Sequence, residues 1–396
     1  MLRMSDILKK AKEKEREAKE ERQKKPFIEP DQQEAAPEPV KPVKEVVTPE
    51  VKADDEVEKP KIEQQPEVRE QKEEEAKPSE VRISPVVMKG TKVVSSEESL
   101  KLYEALMSLM KEILKEDINH ESIDVKQITA LIEKIIEQLS LNNEKLLELA
   151  LIKDSKDVNY IFCHSINVCI YSIAIGLGLG YEKSKLTELG ISALLHDAGM
   201  SCYLPVVNRS TKLTTREYNE IKNHSINGSA FLEKIKNLNR IASYVAHQHH
   251  ERIDSSGYPR GLKGESINEY AKIVGIVDVF EAMLHQRLYR NEFLPLEALR
   301  EILANKNSFQ YRLIKILIEK IGIFPIGSLV ELNTKEIAQV VKLNYAVPLR
   351  PVVKIISGVD GEEPKETKTL DLTTQPTICI KKGLRKSELG KLHTVR

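Results

Sequence analysis

The chain has little of what would send it out of a cell or into a membrane. Its 396 residues include only four cysteines, Cys163, Cys169, Cys202 and Cys379. They form no Cys-x-x-Cys pair and no dense framework, which argues against a disulfide scaffold and fits buried, unreactive thiols in a reducing compartment. Long hydrophobic runs are missing too. The longest apolar stretch, Val168 to Tyr181, is broken by Ser172, Gly176, Gly178 and Gly180 and falls short of the roughly 20 residues of a membrane span. It reads as a core helix. Met1 to Lys25 has no apolar segment followed by a cleavage site, so nothing marks the chain for export and the expected location is the cytoplasm. An excess of one charge is lacking as well: 61 Lys and Arg balance 61 Asp and Glu. Without a basic patch, the chain is not expected to bind a nucleic-acid polymer.

Aromatic residues are scarcest from Met1 to about Ser95, where Lys, Glu, Pro and Gln dominate. Such a segment cannot bury enough apolar surface to offset the entropy of ordering it, so residues 1–95 are expected to be a disordered tail and linker. Within it, Met4 to Lys25 alternates charges at helix-compatible intervals until Pro26, and the Pro, Glu, Val and Lys repeats up to about Pro85 suggest an extended spacer. Its charges are expected to form a solvated face.

Order is expected from Ser95, where Ser95 and Glu98 have capping-box spacing and Leu102, Leu106, Leu109, Met110 and Ile113 share one helical face. Asp124 and Gln127 repeat that spacing before a second apolar stripe, and a third helix spans Glu144 to about Ile152. Residues 96–153 are therefore a helical lead-in. Helical periods continue over 154–321. After Gly322 short Val/Ile runs, Ser328 to Leu332, Ile337 to Leu343 and Pro351 to Ile356, predict a small β appendage over 322–380, followed by a flexible C-terminus, 381–396. The fold class is mainly α, a helical bundle with a minor β tail.

Seven of nine histidines lie between His164 and His285, with His196–Asp197 and His249–His250 as neighbours and Asp278 interrupting the apolar run Ile273 to Val277. Imidazole and carboxylate are ligands for divalent Mn, Fe or Zn, and an α bundle builds a metal site by supplying them from several helices. Leu189, Ala193 and His196 share one face, which turns His196 inward. A buried Asp278 without a partner is costly, and a metal is the economical partner. His247 and His285 read as surface or supporting residues, and His120 and His393 fall outside the cluster.

In order, His164, His196–Asp197, His224, His249–His250–Glu251, Gly257–Tyr258–Pro259 and Asp278 resemble the motif set of the HD-GYP subgroup of HD-domain phosphohydrolases. The framing residues Ala193 to Gly199, Leu213–Thr214 with Ile221 to His224, and Arg287 to Arg290 are similar as well. The resemblance runs from about Asp157 to Asn305 and extends less specifically through the β tail. It implies an HD-type helical bundle in which His164, His196, Asp197 and Asp278 hold one metal and His224, His249 and His250 a second, with Asp197 bridging. It implies two divalent ions, iron or manganese. Asp197 and Glu251 are the candidate catalytic carboxylates, and Glu251 also reads as an outer acceptor for a ligand histidine or a solvated loop carboxylate. The implied substrate is cyclic di-GMP, contacted by Gly257, Tyr258, Pro259, Arg287 and Arg290 and hydrolysed to pGpG or GMP. The alternatives are a slow cyclic di-GMP receptor or scaffold, or an HD hydrolase for another nucleotide. A protein partner is expected through the tail or residues 96–153, and a homodimer is left open.

Three positions depart from the family pattern. Met200 stands where a lysine is usual, which removes a cation from the phosphate. Tyr160 stands where three-metal members have a glutamate, hence the expectation of two metals. Asp254–Ser255 replaces an Asp-Gly where glycine's permissive backbone is used.

Overall fold

The computed structural model describes residues 95–115, 120–141, 144–152, 160–207, 211–285, 292–358, 368–385 and 388. The chain divides into two units, Met1–Ile83 and Ser84–Arg396, and every described residue belongs to the second. Of the expected tail, 1–95, all but Ser95 lies outside the described residues, as do Arg287 and Arg290.

Three helices lead in: α1 (Ser96–Ile113), α2 (Val125–Ser140) and α3 (Lys145–Ile152). The capping box at Ser95 is present, with Glu98 N donating to Ser95 Oγ at 3.1 Å and Ser95 N to Glu98 Oε2 at 2.8 Å. At α2 the cap is simpler: Asp124 accepts from Lys126 N. The apolar stripe of α1 is buried through Leu102, Tyr103, Leu106, Met110 and Ile113, so the lead-in is part of the main core.

The bundle continues with α4 (Tyr160–Gly178), α5 (Lys183–Leu194), a 3-10 segment (Ala198–Tyr203), α6 (Leu204–Val207), α7 (Thr215–Ile221), α8 (His224–Leu232), α9 (Ile241–Gln248), α10 (Glu269–Leu284), α11 (Pro295–Ala304) and α12 (Tyr311–Ile321). α4 is the central helix. It is apolar on all faces, as a helix wrapped by others must be, and packs against α1, α3, α5, α10 and α12. By length and mean hydropathy it matches a membrane span, but 83% of its apolar window is buried in the bundle.

The sheet is antiparallel, in the order β4-β3-β2-β1-β5, from β1 (Leu329–Leu332), β2 (Ile337–Lys342), β3 (Val352–Ser357), β4 (Thr369–Asp371) and β5 (Ile380–Leu384). Val330, Leu332, Val340, Val353 and Ile355 form a second core beneath it. The expected three strands are present within a residue or two, but the boundary at 380 is corrected: Ile380–Leu384 is a strand on β1. Its composition hides it, since Lys381 and Lys382 face solvent and pair with Glu331, leaving little apolar alternation to read. Arg385 then joins Glu297 of α11 at 2.7 Å.

Candidate metal centre

Five elements of the bundle converge on one buried point. His164 comes from the first turns of α4, His196 and Asp197 from the turn after α5, and His224 from the first residue of α8. His249 and His250 follow the end of α9, and Asp278 comes from the middle of α10. Two donor groups result, His164, His196 and Asp278 in one and Asp197, His224, His249 and His250 in the other, each with ligand atoms within 4.8 Å of one another.

Asp197 joins the groups. Its Oδ2 lies 3.6 Å from His164 Nε2 and 3.5 Å from His196 Nε2, while its Oδ1 lies 3.3 Å from His224 Nε2 and 3.5 Å from His249 Nε2. Asp278 reaches the same space, with Oδ1 3.2 Å from His164 Nε2 and Oδ2 3.6 Å from His250 Nδ1.

The imidazoles are held in a metal-ready tautomer. Nδ1 of His196, His224 and His249 lies 2.8, 2.8 and 2.9 Å from the carbonyls of Ala193, Ile221 and Ala246. A carbonyl only accepts, so each Nδ1 carries a proton and Nε2 is the atom turned to the centre. There the ring nitrogens crowd: His224 Nε2 is 3.3 Å from His249 Nε2 and 3.1 Å from His250 Nε2. His196 Nε2 is buried with no hydrogen-bond partner. Crowded ring nitrogens beside two carboxylates and an orphaned buried nitrogen fit a divalent cation, which takes neutral imidazole and ionised carboxylate together.

Burial, more than any neighbour, pushes His196 down to about 4; it also carries His250 well below the ordinary imidazole range, with His249 adding to it. Burial opposes ionisation of Asp197 and Asp278, but the surrounding imidazoles, His196 and His224 for the first and His164 and His250 for the second, hold both below the usual carboxylate range. His164 moves the other way, up to about 10: burial resists, while Glu281 and Asp278 beside it prevail.

Glu281, fully buried on α10, went unread in the sequence. It contacts His164 Nδ1 and accepts from Asn167 Nδ2 at 2.8 Å and Tyr160 Oη at 3.3 Å, with His285 Nε2 2.8 Å away. A signal existed: Glu281 is three residues beyond Asp278 on an apolar helix, and Asn167 three beyond His164, so each shares a ligand's face. His285, expected at the surface or in support, is a supporting residue. Of the thiols, Cys163 and Cys169 are buried as expected, but Cys202 and Cys379 are exposed.

Glu251, a candidate catalytic carboxylate in the sequence, faces the loop that follows it. It is buried, and its two oxygens accept the backbone N–H groups of Arg260 and Leu262, both at 2.8 Å. It fastens the loop that carries Gly257, Tyr258 and Pro259. Gly257 is required there, because a Cβ would lie 2.4 Å from the His250 carbonyl oxygen. The Tyr258 ring stacks on His250 with centroids 4.5 Å apart. Burial, then Asp278 and Asp197, push its phenol well above the ordinary range, so it stays a donor. Lys222 Nζ sits 5.5 Å from the centre of that ring and 4.9 Å from the Tyr218 ring. Met200 is nearly buried and packs in the main core. Ser255 has φ +68°, which bears out the expected loss of glycine's freedom.

A helical bundle that closes on histidines and aspartates drawn from five separate elements has the build of a metal-dependent phosphohydrolase. The chain carries an HD domain: residues 164–312 match that domain, and residues 329–392 match the KOW domain associated with the HD domain. Its relatives include cyclic di-GMP phosphodiesterase PA4108 of Pseudomonas aeruginosa, 29% identical over 64% of this chain and 61% of that protein. Cyclic di-GMP phosphodiesterase PdeB of Borreliella burgdorferi is 28% identical over 58% and 62%. The 3'3'-cGAMP-specific phosphodiesterase 1 of Vibrio cholerae is 32% identical over 46% and 43%. The matches thus span about three fifths of the first two relatives' length.

Proposed function

We propose that the chain hydrolyses a phosphodiester bond of cyclic di-GMP with divalent metal held by His164, His196, Asp197, His224, His249, His250 and Asp278. The observation that carries this reading is the division of Asp197, one oxygen facing each donor group. Bound cations would supply a water nucleophile at neutral pH and neutralise charge on the phosphoryl oxygens. Two ions, iron or manganese, suit the donor set of five imidazoles and two carboxylates.

The protein's own contribution is positional. Backbone carbonyls fix three imidazoles, Glu281 fixes His164, and Glu251 holds the Tyr258 loop against His250. Tyr258 keeps its hydroxyl proton beside Asp197 and Asp278 and is placed to donate to a phosphate oxygen. With one ring face against His250, it offers less to a stacked base. The phosphate or guanine contacts that the resemblance implies for Arg287 and Arg290 stay part of this reading, with pGpG or GMP as the product. The similarity to both cyclic di-GMP and 3'3'-cGAMP phosphodiesterases supports a cyclic dinucleotide as the substrate class.

A second reading, a receptor with slow turnover, is favoured by Met200 alone: its packed side chain supplies no charge where a cation is usual. Assaying cyclic di-GMP and 3'3'-cGAMP against metal-reconstituted protein separates the two. The expected result is metal-dependent linearisation of cyclic di-GMP. Tight binding with no product on either dinucleotide sinks the enzyme reading in favour of the receptor.

A further inference from the structure

A line of buried hydrogen bonds leaves the metal centre and ends outside the HD domain. Tyr103, in the third turn of α1, is fully buried, and its hydroxyl lies 2.9 Å from Asn167 Oδ1. Asn167 is also fully buried on α4, and its Nδ2 lies 2.8 Å from Glu281 Oε1. The other oxygen of Glu281 meets His164 Nδ1. The chemistry gives this line one direction. An ionised carboxylate only accepts, so the Asn167 amide must turn its NH2 to Glu281 and its oxygen to Tyr103. The tyrosine hydroxyl must therefore donate. Each link fixes the next: Tyr103 sets the flip of Asn167, Asn167 sets the plane of Glu281, and Glu281 sets the ring of His164.

We infer that Tyr103 is a positioning residue for the metal centre, acting on His164 through Asn167 and Glu281, and that the lead-in helix is therefore part of the working site. The inference rests on the reading of His164 as a metal ligand. Tyr103 lies outside the matched HD segment, which begins at residue 164. The consequence is a physical route from α1 to the centre, running through the Tyr103–Asn167 contact.

The test uses the full chain, loaded with Co²⁺ as a spectroscopic probe, and four variants: Tyr103→Phe, Asn167→Ala, Glu281→Gln and His164→Ala. Readouts are the visible absorption of the bound cobalt, the rate of its loss to a chelator, and the melting of the metal-free proteins. Tyr103→Phe removes one oxygen and leaves the ring packed. It is expected to alter the cobalt spectrum and speed metal loss about fivefold. Glu281→Gln should speed the loss by about 10- to 100-fold, and Asn167→Ala should fall between. Adding Tyr103→Phe to Glu281→Gln should change metal loss no further, because the line is already cut. A purely structural tyrosine lowers melting but leaves the spectrum and the loss rate unchanged, and that result overturns the inference. If His164→Ala itself keeps the wild-type spectrum, it is the ligand assignment that fails. Should Tyr103→Phe fold poorly, Asn167→Ala alone decides, by the same two readouts.

Discussion

Asp197 offers one oxygen to each donor group, so Asp197→Asn should cost more metal than the loss of any single histidine. The expected outcome is loss of most bound metal by elemental analysis and a fall in turnover on the order of 10²-fold or more. Retention of the full metal complement would remove Asp197 from its bridging place. Met200 and Lys222 belong together at this scale. Met200 is packed in the core, so Met200→Lys must desolvate an ammonium or push it out along its stem; stability should fall, with no gain in rate. Lys222 already holds a cation over the Tyr258 ring. Lys222→Gln should raise KM for cyclic di-GMP about tenfold while Lys222→Arg stays near wild type, as expected for a phosphate contact. A tenfold gain in kcat from Met200→Lys, with Lys222→Gln neutral, contradicts this arrangement. The ligands themselves were legible because chemistry demands unusual residue types at fixed spacing: a histidine pair, a His–Asp pair, an aspartate in an apolar run. Glu281 and Asn167 were not, because a lone acid or amide on a helix is common and only packing shows which of them touch a ligand.

The loop after α9 shows how an element can be locally strained and still well held. Its Gly257 admits no side chain against His250, whereas Ser255 occupies a left-handed backbone conformation, φ +68°, that costs a non-glycine residue about 1 kcal/mol. Ser255→Gly should therefore raise the melting temperature by roughly 2 °C, and Gly257→Ala should lower it and displace Tyr258 from His250. A differential scan of the two variants checks both signs; a destabilising Ser255→Gly would show that the serine is repaid elsewhere in the loop. Among the helices, sequence periodicity placed the lead-in nearly residue for residue because each has one apolar stripe. α4 gave its identity through the opposite signal, an apolar composition all round. The strand Ile380–Leu384 gave almost none. It is an edge strand whose lysines pair with Glu331 in solvent, and edge strands carry charge where inner strands carry Val and Ile.

For the whole molecule, the lead-in, the HD bundle and the sheet follow residues 1–94 in one chain, and the candidate ligands among the described residues all lie beyond them. A chain beginning at Ser95 should bind metal and turn over substrate as the full chain does. One beginning after Leu114 loses Tyr103, Leu106, Met110 and their neighbours from the core; at about 2–5 kcal/mol for each large side chain removed, it should not fold. That contrast is physical: the first segment lacks apolar periodicity, whereas α1 is stitched into the bundle by it. The central claim, that this centre hydrolyses cyclic di-GMP with metal, is tested most directly by following product formation from cyclic di-GMP on protein stripped by a chelator and then reconstituted with manganese or iron, with metal bound per chain measured on the same sample. The account predicts no product from the stripped protein and recovery to pGpG or GMP as about two ions bind, with Asp197→Asn inactive throughout. Turnover that persists in fully stripped protein, or that survives in Asp197→Asn, would contradict it.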